Sequence, residues 1–264
     1  MLEAFWGLSG KPFDKSLKPE QLFMSKGVKE LLSRLDYMKQ HRGIILISGQ
    51  PGTGKTTVLR AFISGLSQLS YKSFYVPLAT VNVLDFYRQL NQKLGGEPYH
   101  YKAQLFEAIQ KNIKDLVANS KKIPVIMFDE AHLLKNENFT ELQILTNFNM
   151  DSTDPALIIL AGQPHLADRL MRPILKSFYQ RITLKYQLLP LQKDELQSFI
   201  EHHLKLKGCA RSPFSPNAIE AIFKVTAGVP RLIAALATHT MTLGMMQKTE
   251  SLTEELVFQA NHEL

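Results

Sequence analysis

The stretch GQPGTGKTT, Gly49–Thr57, constrains this chain more than any other. It follows a short, wholly apolar run, GIILISG (Gly43–Gly49), and opens a stretch with helical spacing, Lys55–Leu69. This is the G-x-x-x-x-G-K-[ST] pattern in the strand–loop–helix setting it requires. Gly49, Gly52 and Gly54 let the backbone curl around a phosphate chain, while amide N–H groups and the helix N-terminus point at the anion. Lys55 reaches the β and γ phosphates, and the Thr56 hydroxyl takes a place on Mg²⁺. The expected nucleotide-binding residues are Gly49, Gln50, Pro51, Gly52, Thr53, Gly54, Lys55, Thr56 and Thr57. A plain Gly-rich turn is the competing reading, and the flanking strand and helix argue against it.

Further apolar runs follow: SFYVPL (Ser73–Leu78), IPVIMFD (Ile123–Asp129), ALIILAG (Ala156–Gly162) and ITLKYQL (Ile182–Leu188). Their bulk suits strands buried on both faces, as in a parallel sheet. Amphipathic stretches lie between them. Gly27–Gln40 and Ala103–Ala118 carry apolar residues at helical spacing, with Leu105, Ile109, Ile113 and Leu116 on one face of the second. Strands alternating with helices predict an α/β domain with a mostly parallel sheet. After Pro190 no strand run remains. Lys193–Leu206, Ser215–Thr226, Arg231–Met246 and Thr253–His262 read as helices, with Gly208 and Gly228 as stops. The expected division is an N-terminal arm and helix at 1–42, an α/β core at 43–190 and an all-helical domain at 191–264. Within the arm, turn residues between aromatics predict an ordered segment that packs.

VIMFDEAH places two carboxylates at the end of a buried strand. Downstream of a phosphate loop, Asp129 is expected to hold Mg²⁺ through its water shell. Glu130 is expected to orient and deprotonate an attacking water. Without that loop, the pair would read as a solvated corner. The letters Asp129-Glu130-Ala131-His132 are also the tag of a helicase class. Such helicases carry motifs on two parallel-sheet domains, and no second such domain is visible here. His132 is expected to be a helix-start residue near the site, with no chemistry of its own.

The chain has 264 residues, 45% of them hydrophobic and 21% charged, as in an ordinary globular protein. Lys and Arg number 31 against 24 Asp and Glu, a formal net charge of +7. That excess favours an acidic partner such as nucleic acid or an anionic surface. Lys93, Lys102, Lys111, Lys114, Lys121 and Lys122 gather between the second and third strand runs, and read either as a duplex-facing surface or as a solvated helix face. No zinc-finger or helix-turn-helix pattern is present, so DNA binding is expected to be led by the phosphate backbone. The single Cys209 excludes an intrachain disulfide and suits a reducing compartment. No signal-peptide pattern and no apolar run of about 18–20 residues occurs. The expected location is the cytoplasm, without a membrane.

The order of these features resembles the AAA+ ATPases. Within them it is most similar to the ExeA-type proteins of the general secretion pathway and the related ATP-binding helpers of bacterial transposons. The resemblance runs from the arm FWGLSGKPFDKSLKPEQLFMS through ISGQPGTGKTTVLR and VIMFDEAHLL. It continues in IILAGQPHLADRL, FYQRITLKYQLLPL and TAGVPRLI. It implies ATP and Mg²⁺ as cofactors and a helical lid. It gives Gln163 the role of the polar sensor beside the γ-phosphate, against a plain strand-end turn before Pro164. Arg181 resembles the arginine finger donated to a neighbouring subunit, with Arg172 and Arg169 as competing candidates. Arg231 resembles the second sensor, reaching from the lid. A finger in trans implies a homo-oligomer, ring or filament. Two uses of ATP follow from the family. One is a DNA-bound regulator that recruits or activates a transposase. The other is a secretion-assembly ATPase. A third reading is an initiator-like or signalling ATPase with a protein partner only. Secretion-type members continue into a membrane span and a wall-binding domain. This sequence stops at Leu264, and the positive charge points the same way, so the transposition reading is expected.

Overall fold

A computed structural model describes residues 2–14, 16–77, 82–209 and 211–264. Leu78, the expected end of the second strand, lies outside the described residues, as do Met1 and Lys15 of the arm. In chain order the elements are α1 (Leu2–Phe5), α2 (Lys26–His41), β1 (Gly43–Ser48), α3 (Lys55–Ser64), β2 (Tyr71–Pro77), α4 (Val83–Lys93), α5 (Lys102–Ala118), β3 (Ile123–Asp129), α6 (Asn136–Leu145), β4 (Leu157–Gly162), α7 (His165–Leu170), α8 (Lys176–Gln180), β5 (Ile182–Gln187), α9 (Lys193–Lys205), α10 (Pro216–Thr226), α11 (Pro230–Met246) and α12 (Glu254–His262). The chain divides into two compact units. One comprises Met1–Glu30, Gln50–Ala61 and Leu189–Leu264, and the other Leu31–Gly49 and Phe62–Leu188.

The second unit is built on a five-stranded sheet in the order β2-β3-β4-β1-β5, parallel at every pairing. This is the α/β class that the apolar runs predict. The three central strands are buried along almost their whole length. The outer strands β2 and β5 instead carry exposed residues along much of their length, with two buried residues in β2 and one in β5. The sequence reads all five alike, and the difference is positional: an edge strand has helices over less of its surface. On one face Ile44, Leu46, Ile126, Phe128, Ile158 and Leu160 join Phe86, Ile109 and Phe139 from α4, α5 and α6 in one core. Each buried aliphatic or aromatic side chain there contributes roughly 1.5–3 kcal/mol. Helix α3 stops at Ser64, short of the expected Leu69, and Gly65 follows it.

The first unit is helical. Helices α9–α12 share a core in which the arm takes part through buried Leu8 and Phe13. The Trp6 indole N–H donates to the Met241 carbonyl at 3.0 Å. The Ser9 amide donates to the Lys207 carbonyl, and the Lys26 amide to Glu195 at 2.7 Å. An aromatic spacing that supplies both anchors and turns makes a strap of this arm. Among the described residues no helix is long and apolar enough to cross a membrane.

Candidate nucleotide site

All strands being parallel, their C-terminal ends form one edge of the sheet, the edge at which α/β sheets bind ligands. The register brings Ser48 opposite Gly162 and Phe128 opposite Leu160. The Gly49 amide donates to the Gly162 carbonyl at 3.2 Å. The residue after β1 is thereby fixed to the end of β4. Since β4 lies between β3 and β1, half-buried Gln163 stands between the acidic pair and the start of the phosphate loop.

In the helical unit, the rest of the loop is shaped by its glycines. Gly52 and Gly54 have φ of +84° and +96°, which an L side chain rarely adopts. Thr53 donates from its hydroxyl to the Gln50 carbonyl at 2.9 Å. The Lys55 ammonium donates to the same carbonyl at 3.0 Å and is only 7% exposed. Lys55 begins the ten-residue helix α3, with Thr56 exposed and Thr57 half-buried in its first turn. A buried ammonium, two left-handed glycines and a helix N-terminus together fit a polyphosphate. Gly52 also meets α11: the Arg231 amide donates to its carbonyl at 3.2 Å. Pro230 opens α11, as the sequence suggests, and the Arg231 side chain is exposed.

On the sheet, Asp129 ends β3 and is 5% exposed. Its Oδ1 accepts the Glu130 amide at 2.9 Å. Glu130 has φ 52° and ψ 33°, the left-handed region, which turns the chain sharply off the strand. A buried carboxylate beside a half-exposed one suits a cation ligand and a proton acceptor. Two neighbours of the acids have no chemistry in the sequence reading: Tyr75, which it passes over, and His132, which it places near the site without a role. Burial, and then the charges of Asp129 and Glu130, push the Tyr75 phenol up. Tyr75 pairs with Met127, and so shares a face of the sheet with Asp129 two residues on. The other is His132, whose Nδ1 lies 3.3 Å from Glu130 Oε2.

The three arginine candidates differ. Arg181 directly precedes β5, and so lies at the N-terminal edge of the sheet, a strand length of about 20 Å from the edge carrying Asp129 and Gln163. It donates to the Gln143 carbonyl at 2.9 Å and pairs with Asp151. Arg169 donates to the His132 carbonyl at 3.1 Å and lies over the Phe139 ring. Burial, with Arg172 nearby, pulls its pKa down. Arg172 is exposed. The lysine run is not uniform either. Lys102 pairs with Glu141, and Lys114 lies over the Phe148 ring at 5.9 Å.

The profile of the family described as AAA domain matches residues 38–170, a span that includes the loop, the acidic pair and Gln163. General secretion pathway protein A of Aeromonas hydrophila is 32% identical over 248 residues, covering 91% of this chain and 44% of that protein. The chain spans about half the length of the relatives it matches. Among solved structures, the Aeropyrum pernix ORC2 protein (ADPNP-ADP complexes) superposes with a TM-score of 0.66 at 17% identity, over 95% of this chain and 70% of that one. The Drosophila ORC bound to DNA gives 0.66 at 16% identity, over 98% and 64%. These identities carry the fold alone. Half of the chain lies under the profile, including both acidic residues and the whole loop, and the chain belongs to the AAA domain family.

Proposed function

We propose that this chain is a Mg²⁺-dependent ATPase that cycles between an ATP-bound, oligomeric state and an ADP-bound, looser one. The carrying observation is the loop: two glycines in the left-handed region and a buried Lys55 at the head of α3. Gly49–Thr57 hold the phosphates, and Lys55 neutralises charge on them. Thr56 and Asp129 hold the magnesium ion, which when bound draws charge from the transferred phosphoryl group. Glu130 accepts the proton of the attacking water, and Gln163 orients that water. Arg231 reaches the nucleotide from a lid formed by 191–264, with 43–190 as the ATPase core and 1–42 as the arm. Arg181 serves the ATP of a neighbouring subunit. Its place at the sheet edge away from its own Asp129 supports action in trans.

The output of that cycle, in this reading, is regulation of a transposase on duplex DNA in the cytoplasm. The net charge of +7 supports contact with a polyanion. A second reading, assembly of a secretion apparatus, is supported by the 32% identical secretion-pathway relative. Binding to random-sequence duplex DNA, with and without ATP, separates them. The DNA reading expects ATP-dependent assembly on the duplex. For six or more phosphate contacts, affinity should fall about a thousandfold between about 50 and about 200 mM salt. Absent or salt-insensitive binding removes the DNA reading and leaves the secretion one.

A further inference from the structure

We infer that His132 is the positioning residue for the Glu130 carboxylate, an inference that rests on the reading of Glu130 as the proton acceptor. Directly after β3, the left-handed Glu130 starts a short 3-10 turn, Ala131–Leu133, closed by the Leu133 amide donating to the Glu130 carbonyl at 2.9 Å. The turn folds His132 back over Glu130 and brings Nδ1 to 3.3 Å from Oε2. The Glu130 side chain is 53% exposed, so packing fixes its rotamer only weakly, whereas that of His132 is 8% exposed. The two are therefore unequal. The imidazole is set by its surroundings, and its Nδ1 meets Glu130 Oε2 in a close contact that lies outside hydrogen-bond geometry and limits the swing of the carboxylate.

One ring contact, one hydrogen bond to the main chain and one glycine set the place of His132. His165, on α7, meets its ring edge to face, with centroids 5.1 Å apart. Arg169, one turn further along α7, donates to the His132 carbonyl at 3.1 Å. Among the described residues, Nε and Nη2 of that guanidinium are buried without a hydrogen-bond partner. Such a cation is desolvated at a cost, for one bond to the turn. Gly162, at the end of β4, makes room: a Cβ there would lie 3.2 Å from the His132 amide nitrogen and 3.5 Å from its Cβ. Among the described residues, Glu130, His165 and Arg169 are charged or titratable groups that meet His132. With the swing of one carboxylate oxygen limited by that contact, the other is left facing the direction from which it takes a proton from water. General-base catalysis depends on that geometry, and a displacement of about 1 Å is worth about a hundredfold in rate.

Steady-state hydrolysis of MgATP by the full chain tests this with two substitutions. His132→Leu keeps the bulk of the ring and removes the nitrogen, while His132→Asn keeps an N–H in the Nδ1 position. The expected result for His132→Leu is a fall in kcat of about tenfold or more, with KM for ATP within about twofold of the parent. His132→Asn recovers most of that loss. In a Glu130→Gln background, His132→Leu produces no further fall, because the group it positions is gone. The inference is overturned if His132→Leu keeps or raises kcat, if KM rises in step with the loss of rate, or if His132→Asn is no better than His132→Leu. Hydrolysis by Glu130→Gln at the parent rate strikes the reading of Glu130 itself, a result independent of either His132 variant.

Discussion

The main-chain N–H of Arg231 donates to the carbonyl of Gly52 at 3.2 Å, tying the first turn of α11 to the phosphate loop. Gly52 has φ +84°, and an added Cβ would lie 2.8 Å from Arg231 Cβ and 3.1 Å from Val229 Cγ1. Gly52→Ala therefore meets strain in both its own backbone and its neighbour, about 1–3 kcal/mol together. We expect at least a tenfold loss of affinity for a fluorescent ATP analogue, read by titration. An unchanged affinity would contradict the fit of this loop to phosphate.

Arg181 is engaged within its own chain by Gln143 and Asp151. Arg181→Ala should lower stability by about 1–2 kcal/mol, because a half-buried charged hydrogen bond is lost. If Arg181 acts in trans, mixing Arg181→Ala with Lys55→Ala protein restores part of the ATPase activity at mixed interfaces. With both proteins folded, no restoration at any mixing ratio excludes Arg181 as the donated group. Arg172, exposed on the same unit, is then the next to mutate.

His203 is buried between Phe13 and Phe199, and burial, aided by His202 and Lys207, holds its pKa down at about 4. Unfolded, the imidazole titrates near 6.5. Between these values the unfolded chain binds the extra proton, so stability is full above about pH 6.5 and falls as pH drops toward 4. The loss amounts to at most about 3 kcal/mol. Urea melts at pH 7 and pH 5 should differ for the parent and differ less for His203→Gln. An equal pH dependence in the two would show that His203 is not the group responsible.

Trp6, the single tryptophan, donates its indole N–H to Met241 and stacks edge to face with Phe5. Its fluorescence therefore reports on the arm alone. We expect an emission shifted to shorter wavelength that moves red in the same urea transition as the helical circular dichroism signal. A red shift well before that transition would mean that the arm undocks independently.

The apolar runs delimit β3 to the residue and β1 and β4 to within one, because a strand buried on both faces leaves no polar residue to blur its ends; β5, half polar at the sheet edge, is also delimited to within one. The helices at Lys102–Ala118, Pro216–Thr226 and Pro230–Met246 are equally legible from spacing and caps. Strand order is not. Placing β1 between β4 and β5 depends on long-range pairing, and the edge positions of β2 and β5 follow from it. The phosphate loop and the acids can be read as local patterns, since their chemistry lies in consecutive residues. The setting of His132 cannot. It depends on a left-handed glutamate, on Arg169 reaching back from α7 and on a glycine ending β4. For the same reason Tyr75, on a neighbouring strand, carries no local signal of its closeness to the acids.

The most direct measurement is ATP turnover and ATP binding by one pair of variants, Lys55→Ala and Glu130→Gln, beside the parent with Mg²⁺. The account predicts that Lys55→Ala loses binding and turnover together. Glu130→Gln should bind ATP as the parent does and hydrolyse it about a hundredfold or more slower. Turnover by Glu130→Gln at the parent rate, or a parent chain that binds no ATP, would contradict it.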